Sequence, residues 1–284
     1  MDTKPLQPIG IFDSGIGGLT VLRAIHQLIP DEPLIYMADQ AHVPYGPRPI
    51  QEVRQFSEAI THYLLEQGSR MIVVACNTAS AASLKYLRQV FPDIPFVGME
   101  PAVKPAAEHT RSGVVGVLAT PATFQSELYT SVVERFGQGV MLIQHTCPGL
   151  VSQIEAGEME SEVTYRILEE ALQPMLEQGI DTVVLGCTHY PFVIPLIQRI
   201  TGPDVRVIDP APAVARQVQR LLVASSLLDL EVPLPGDVLK KPMQLLHFCT
   251  TGSPSNLENM LPALIGENYP VEGLSWSAGE LISL

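Results

Sequence analysis

"LEQGSRMIVVACNT", residues 65–78, lies without gaps on "LEQGIDTVVLGCTH", residues 176–189, and this self-match decides the fold. Each copy reads as a helix end, a glycine suited to the C′ position, a β-branched strand, and a cysteine eight residues beyond the glycine. A weaker match sets "IGIFDS" from Ile9 on "VGVLAT" from Val115, pairing Asp13 and Ser14 with Ala119 and Thr120. The offsets are 111 residues (65 to 176) and 106 residues (9 to 115). Such a chain predicts two similar α/β halves. Each delivers one cysteine, Cys76 or Cys187, from the C-terminal tip of an equivalent strand.

The rest of the chain extends this pattern. Short β-branched runs at 9–13, 34–39, 71–76, 113–119, 140–144, 182–187 and 205–209 read as strands. Helical spacing falls between them: Val53, Phe56, Ile60, Tyr63 and Leu64 on one face of 51–67, and Val163, Ile167, Leu168, Leu172, Met175 and Leu176 on one face of 161–178. Alternating helices and near-continuous apolar strands predict doubly wound parallel sheets, whose ligands sit at the carboxyl ends of the strands. Pro92, Pro95, Pro101 and Pro105 mark the crossing between halves. The expected organisation is a first α/β domain of residues 1–98 plus about 210–284 and a second of 99–209, related by a pseudo-two-fold axis with the site in the cleft between them.

Composition narrows the function classes. The chain of 284 residues has a formal net charge of -13 and no Lys/Arg run, which argues against a nucleic-acid ligand. Its four cysteines are far apart, with neither C-x-x-C nor zinc-finger spacing, so free thiols in a reducing compartment are expected, not disulfides or a structural metal. No segment has the run of about 18 apolar residues of a membrane span and the N-terminus shows no signal peptide, so a cytoplasmic protein is expected.

Two thiols facing one cleft have the geometry of a two-base reaction. To invert a stereocentre without a cofactor, one base takes the proton from one face of the carbon and a conjugate acid supplies another to the opposite face. A thiol pair can rest as one thiolate and one thiol, its unperturbed pKa of about 8.5 being tuned by helix N-termini and by acidic or imidazole neighbours. Cys76 precedes "NTASAASLKYLRQ" and Cys187 precedes "THYPFVIPLIQRI", so both thiols are expected at helix N-termini. Ser14, Asn77, Thr78, Thr120 and Thr188 can hold carboxylates through short polar side chains. Asp13 can take an ammonium or shuttle a proton near Cys76, and His189 can do the same beside Cys187.

The turn "DSGIGGLTVL" from Asp13 follows a strand and opens a helix, as a phosphate cradle does, but it matches neither G-x-x-x-x-G-K-[ST] nor G-x-G-x-x-G. A tight backbone turn near a small ligand fits better. A single cysteine ending a buried strand is more often core than nucleophile, and the repeat is what reverses that for Cys76 and Cys187. Cys147 and Cys249 have no repeat partner and are expected to pack. His42, His145 and His247 read as structural or surface residues, and Tyr45 in "VPYGPRP" reads equally as packing or as a ligand contact.

Taken together, "GIFDSGIGG", "YMAD", "PYGPR", "VVACNTASA", "LAT", "EAGE" and "LGCTHYP" resemble, in order and spacing, the bacterial glutamate racemases of the aspartate/glutamate racemase family. Those enzymes interconvert L- and D-glutamate without a cofactor and supply D-glutamate for peptidoglycan. The resemblance runs from about Ile9 to Asp209, and "FCTTGSP" at 248–254 is similar to the family's tail. It implies that Cys76 abstracts from D-glutamate and Cys187 from L-glutamate, assisted by Asp13 and His189. It further implies substrate contacts from Asp13, Ser14, Tyr45, Gly46, Asn77, Thr78, Thr120, Thr188 and His189, and a Glu155 that pairs with His189. No metal is implied. "QAHVPYG" and "GPRPI" depart from the usual family residues in loop positions outside those contacts. Nothing resembles the N-terminal extension with which some members bind a cell-wall precursor, so activation of that kind is not expected.

Three other readings compete with this one: a racemase of aspartate or another superfamily isomerase or decarboxylase, a non-catalytic binding protein such as the members that restrain DNA gyrase, and a Cys187/His189 metal site short of two ligands. Racemases of this type often dimerise, so a homodimer is a partner to test alongside the small-molecule substrate.

Overall fold

The computed structural model describes residues 7–227 and 245–284. Eleven strands are described: β1 (Ile9–Asp13), β2 (Leu34–Ala38), β3 (Met71–Val74), β4 (Phe96–Gly98), β5 (Val114–Ala119), β6 (Met141–His145), β7 (Thr182–Gly186), β8 (Arg206–Ile208), β9 (Leu246–Thr250), β10 (Val271–Ser277) and β11 (Glu280–Ser283). They form a seven-stranded sheet in the order β11-β10-β9-β2-β1-β3-β4 and a four-stranded sheet in the order β6-β5-β7-β8. Every pairing is parallel except β10 with β11, an antiparallel hairpin that edges the larger sheet.

The internal repeat is a repeat of topology. The order β2-β1-β3-β4 recurs as β6-β5-β7-β8. Ile9 pairs with Met71 in the first sheet and Val115 with Thr182 in the second, the residue equivalences that the two sequence matches predict. Gly68 and Gly179, at φ 84° and 81°, follow the helices Ile50–Glu66 and Glu162–Glu177 in the left-handed conformation that ends a helix. β1, β2, β3 and β7 are buried along their whole length, as strands covered by helices on both faces must be.

Two expectations need correction. Val163 is 54% exposed: the buried stripe of Glu162–Glu177 runs through Thr164, Leu168, Ala171, Leu172 and Met175, and Val163 lies outside it. Cys187 does not begin an α-helix. Prolines 191 and 195 impose a turn and a 3-10 segment, Tyr190–Val193, before the helix starts at Ile194.

The halves are joined by shared packing. After β8 the helix Ala211–Leu227 returns to pack on the helix Leu19–Leu28 of the first sheet. One apolar cluster runs from Ile9, Ile11, Leu19 and Leu22 through Leu118, Leu150 and Leu168 to Leu185, Tyr190 and Val214. At about 1.5–3 kcal/mol for each large apolar side chain removed from water, this continuous core holds the two strand-tip edges against each other.

Candidate active site

Cys76 comes two residues after β3 and caps the helix Asn77–Val90; its extended backbone lets Sγ accept from the N–H of Ala79 at 3.4 Å. Its thiol also lies 3.9 Å from Ser14 Oγ. Cys187 comes one residue after β7, and its Sγ lies 3.9 Å from His189 Nδ1. Both sulfurs line one pocket with Ser14, Pro44, Tyr45, Gly46, Asn77, Thr78, Thr120, Val151, Thr188 and His189. The two sequence-equivalent cysteines therefore meet, although they belong to different sheets.

Contacts between the halves shape the pocket wall. Thr78 and Thr120 bring their hydroxyls within 2.9 Å, and Thr120 also caps the short helix Pro121–Phe124. Thr188 Oγ1 donates to Asp13 Oδ1 at 3.3 Å, while Asp13 Oδ2 accepts from the N–H groups of Gly15 and Gly18. Asp13 thus sits behind the pocket, tied into its own turn. Tyr45 also lines the pocket, and its hydroxyl donates to Asp39 Oδ2 at 2.6 Å. Gly46 approaches Thr120 so closely that a Cβ would stand 3.2 Å from that side chain.

The two thiols have electrostatically different neighbours. Burial pushes the Cys76 thiol well above its usual range, and the charge of Asp13 adds to that, against the Ala79 N–H. Burial likewise raises the Asp13 carboxyl above its usual range, against the charge of His189 and the N–H of Gly18. On the other side, His189 Nε2 meets Glu155 Oε1 at 2.6 Å. Burial pulls the imidazole down, but the Cys187 thiol, Glu155 and Asp13 together lift it well above its ordinary value. Burial opposes ionisation of Glu155 too, yet the bond and charge of His189, with Gln40 and the Ile16 N–H, hold its carboxyl below the usual range. Cys187 therefore lies beside an imidazole whose protonated form its neighbours favour, where Cys76 lies beside a carboxyl.

This pair gives a pH signature. The raised imidazole contributes stability that is complete below its unfolded pKa of about 6.5 and lost as pH rises through the folded value. The depressed carboxyl contributes stability that is complete above about 4.3 and lost as pH falls through its folded value. Glu155→Gln removes the charge and leaves burial to act, so the His189 titration should move to lower pH, followed by imidazole proton and nitrogen NMR. An unmoved titration would show that Glu155 does not set the state of His189.

Asn77 is the lining residue whose polar atoms stand without partners among the described residues. Both its amide nitrogen and its amide oxygen are buried without a hydrogen-bond partner, which costs about 1–3 kcal/mol for each group left so. Sequence reasoning missed Pro44 and Val151 in the lining, and also Gln40, which donates to Glu155 Oε2 at 3.0 Å. Gln40 carried no signal beyond its place after β2. The glycine turn is a close approach and not a phosphate cradle. A Cβ on Gly15 would lie 1.9 Å from Glu155 Oε1, and one on Gly17 would lie 2.4 Å from His189 Nδ1.

Of the remaining cysteines, Cys147 is buried beside His145 and Cys249 beside Tyr63, both outside the pocket lining. His42 stacks on Phe56 with ring centroids 3.9 Å apart and pairs with Asp39.

Comparison with known proteins joins this geometry to a family. The sequence model described as Asp/Glu/hydantoin racemase matches residues 9–218. The glutamate racemase of Stutzerimonas stutzeri is 47% identical over 265 residues, covering 93% of this chain and 96% of the relative. A glutamate racemase isoform from Bacillus anthracis superposes with a TM-score of 0.81 at 31% identity, covering 96% of this chain and 98% of its own. Escherichia coli glutamate racemase, solved with L-glutamate and the activator UDP-MurNAc-ala, also gives a TM-score of 0.81 at 31% identity, with 99% and 100% covered. With a matching family model over most of its length, relatives of nearly half identity, and paired cysteines on duplicated strand tips, the chain belongs to the Asp/Glu/hydantoin racemase family.

Proposed function

We propose that the protein interconverts L- and D-glutamate by a cofactor-free reaction between two thiols. The observation that carries this reading is the convergence of Cys76 and Cys187, from equivalent strands of two α/β units, on a single pocket. For L-glutamate, Cys187 takes the α-proton while Cys76, held as a thiol by its surroundings, delivers a proton to the opposite face. For D-glutamate the roles reverse. His189, braced by Glu155, serves Cys187, and Asp13 serves Cys76.

Among the described residues the lining offers no Lys or Arg, so the substrate carboxylates would be held by neutral donors: Ser14, Asn77, Thr78, Thr120 and Thr188. Asn77 can both donate to a carboxylate and accept from the ammonium, satisfying its two orphaned atoms. Tyr45 and Gly46 shape the wall. The two working units of this reading are residues 1–98 with about 210–284, and 99–209. The D-glutamate formed would supply peptidoglycan synthesis, in the cytoplasm; among the described residues no helix is long and apolar enough to cross a membrane. A homodimer belongs to the same reading, and light scattering tests it.

The deciding experiment incubates the protein with L-glutamate in D₂O without added cofactor and follows optical rotation and α-deuterium together. Loss of rotation with one deuterium incorporated is expected. The same result with L-aspartate and none with glutamate would replace the substrate. No exchange with either would remove the catalytic reading and favour a binding protein.

A further inference from the structure

A second constellation of ligating side chains lies outside the pocket, on the larger sheet. His247 and Cys249 alternate on β9 and so share one face. The parallel register sets Glu272 of β10 directly against Cys249, which brings the third side chain to the same face. His247 Nε2, Cys249 Sγ and a Glu272 carboxylate oxygen all fall within 4.8 Å of one another, and Nε2 is 3.1 Å from Oε2.

The surroundings are those of a built site. Ser283 Oγ, on β11, donates to Glu272 Oε1 at 2.8 Å and so turns the other oxygen toward the histidine. The Tyr63 hydroxyl lies 3.7 Å from Cys249 Sγ and closes the inner side. Cys249 is fully buried, while the His247 and Glu272 side chains are each 37% exposed and leave a way in from solvent. A thiol kept only for packing needs no polar neighbours. This one faces an imidazole and a carboxylate.

We propose that His247, Cys249 and Glu272 form a binding site for one divalent cation of borderline softness, Zn²⁺ above all, which staples β9 to β10. One nitrogen, one sulfur and one oxygen donor suit zinc, and a water completes the tetrahedron. Calcium and magnesium, which take six or more oxygens, do not fit. Zinc–ligand bonds of about 2.0–2.3 Å place tetrahedral donors roughly 3.3–3.8 Å apart; the His247–Glu272 edge, at 3.1 Å, opens slightly to reach that spacing, and the two edges to Cys249, no longer than 4.8 Å, close onto the ion. Zinc takes sulfur as the thiolate, so the Cys249 proton must leave as the Zn–S bond forms. Each ion bound through this sulfur releases that proton, and binding tightens as pH rises.

The test titrates Co²⁺, as a coloured substitute for Zn²⁺, into the full chain carrying Cys76→Ser and Cys187→Ser, so that the pocket thiols cannot contribute. One equivalent should produce the near-ultraviolet thiolate-to-cobalt charge-transfer band, which Zn²⁺ should abolish by displacement. Saturating Zn²⁺ should raise Tm by about 5 °C. Cys249→Ser should remove the band, and His247→Gln, at a partly exposed position that leaves the core intact, should weaken binding at least tenfold. No band at one equivalent, or a band that survives both substitutions, would overturn the proposal.

Discussion

Either Cys76→Ala or Cys187→Ala is expected to lower glutamate racemisation by about 10³-fold or more, at the upper end of what one positioned acid or base contributes. In the proposed two-thiol reaction the loss exceeds that of a binding residue, because each sulfur would act in both directions, as base for one enantiomer and as acid for the other. The two variants should nevertheless differ. Cys187→Ala keeps the thiol beside Asp13 and Ser14 and should still exchange the α-proton of D-glutamate with solvent, without inversion. Cys76→Ala keeps the thiol beside His189 and should exchange only L-glutamate. Mass spectrometry of α-deuterium in each recovered enantiomer reads this directly. Both substitutions remove a single sulfur at the pocket wall, Cys187 at the margin of the continuous core and Cys76 in a second apolar cluster, so Tm should move by only a few degrees. Equal exchange of both enantiomers by either variant would sink the assignment of one thiol to each face.

The two halves and their cysteines were legible because each rests on local chemistry. Gly68 and Gly179 mark helix ends, β-branched residues make the strands, and the duplication amplifies both signals. The carboxy-terminal hairpin was not legible. β10 and β11 turn through Ala278 and Gly279, both at positive φ, and an alanine there gives none of the Asn-Gly or Asp-Gly signal of a two-residue turn. β4 is only three residues long and lies among prolines that read as a crossing. At the site, Asp13, Ser14, Asn77, Thr78 and Thr188 could be named from their places beside strand tips. Glu155 could not, because its bond to His189 spans 34 residues and two elements; only the family resemblance pointed to it. The partners of Gly15 and Gly17 belong to the other half of the molecule, so no local pattern could show why those positions lack side chains.

Gly17→Ala is expected to reduce kcat by about 10²-fold, the scale of a displacement of about 1 Å in a catalytic group. Gly17 is outside the left-handed region, so alanine can adopt its backbone; the obstacle is space. The added methyl would stand 2.4 Å from His189 Nδ1, 2.8 Å from Cε1 and 2.7 Å from Thr188 Oγ1, all shorter than side-chain contacts allow. His189 has little freedom to retreat, because Glu155 holds its far nitrogen at 2.6 Å and is itself held by Ile16 N–H and Gln40. Relief must come from turning the ring, which breaks its alignment with Cys187, or from parting the halves, which also separates Thr188 from Asp13. Either response acts on the Cys187 side. Proton abstraction from L-glutamate should therefore fall more than exchange of D-glutamate, while the stability cost stays at the roughly 1–3 kcal/mol typical of an overpacked methyl. Thermal unfolding and the two exchange rates, measured on one preparation, separate these effects. Unchanged kcat with a near-parental Tm would mean that the imidazole can turn aside without loss, and that the bond to Glu155 does not fix the geometry of the Cys187 half-site.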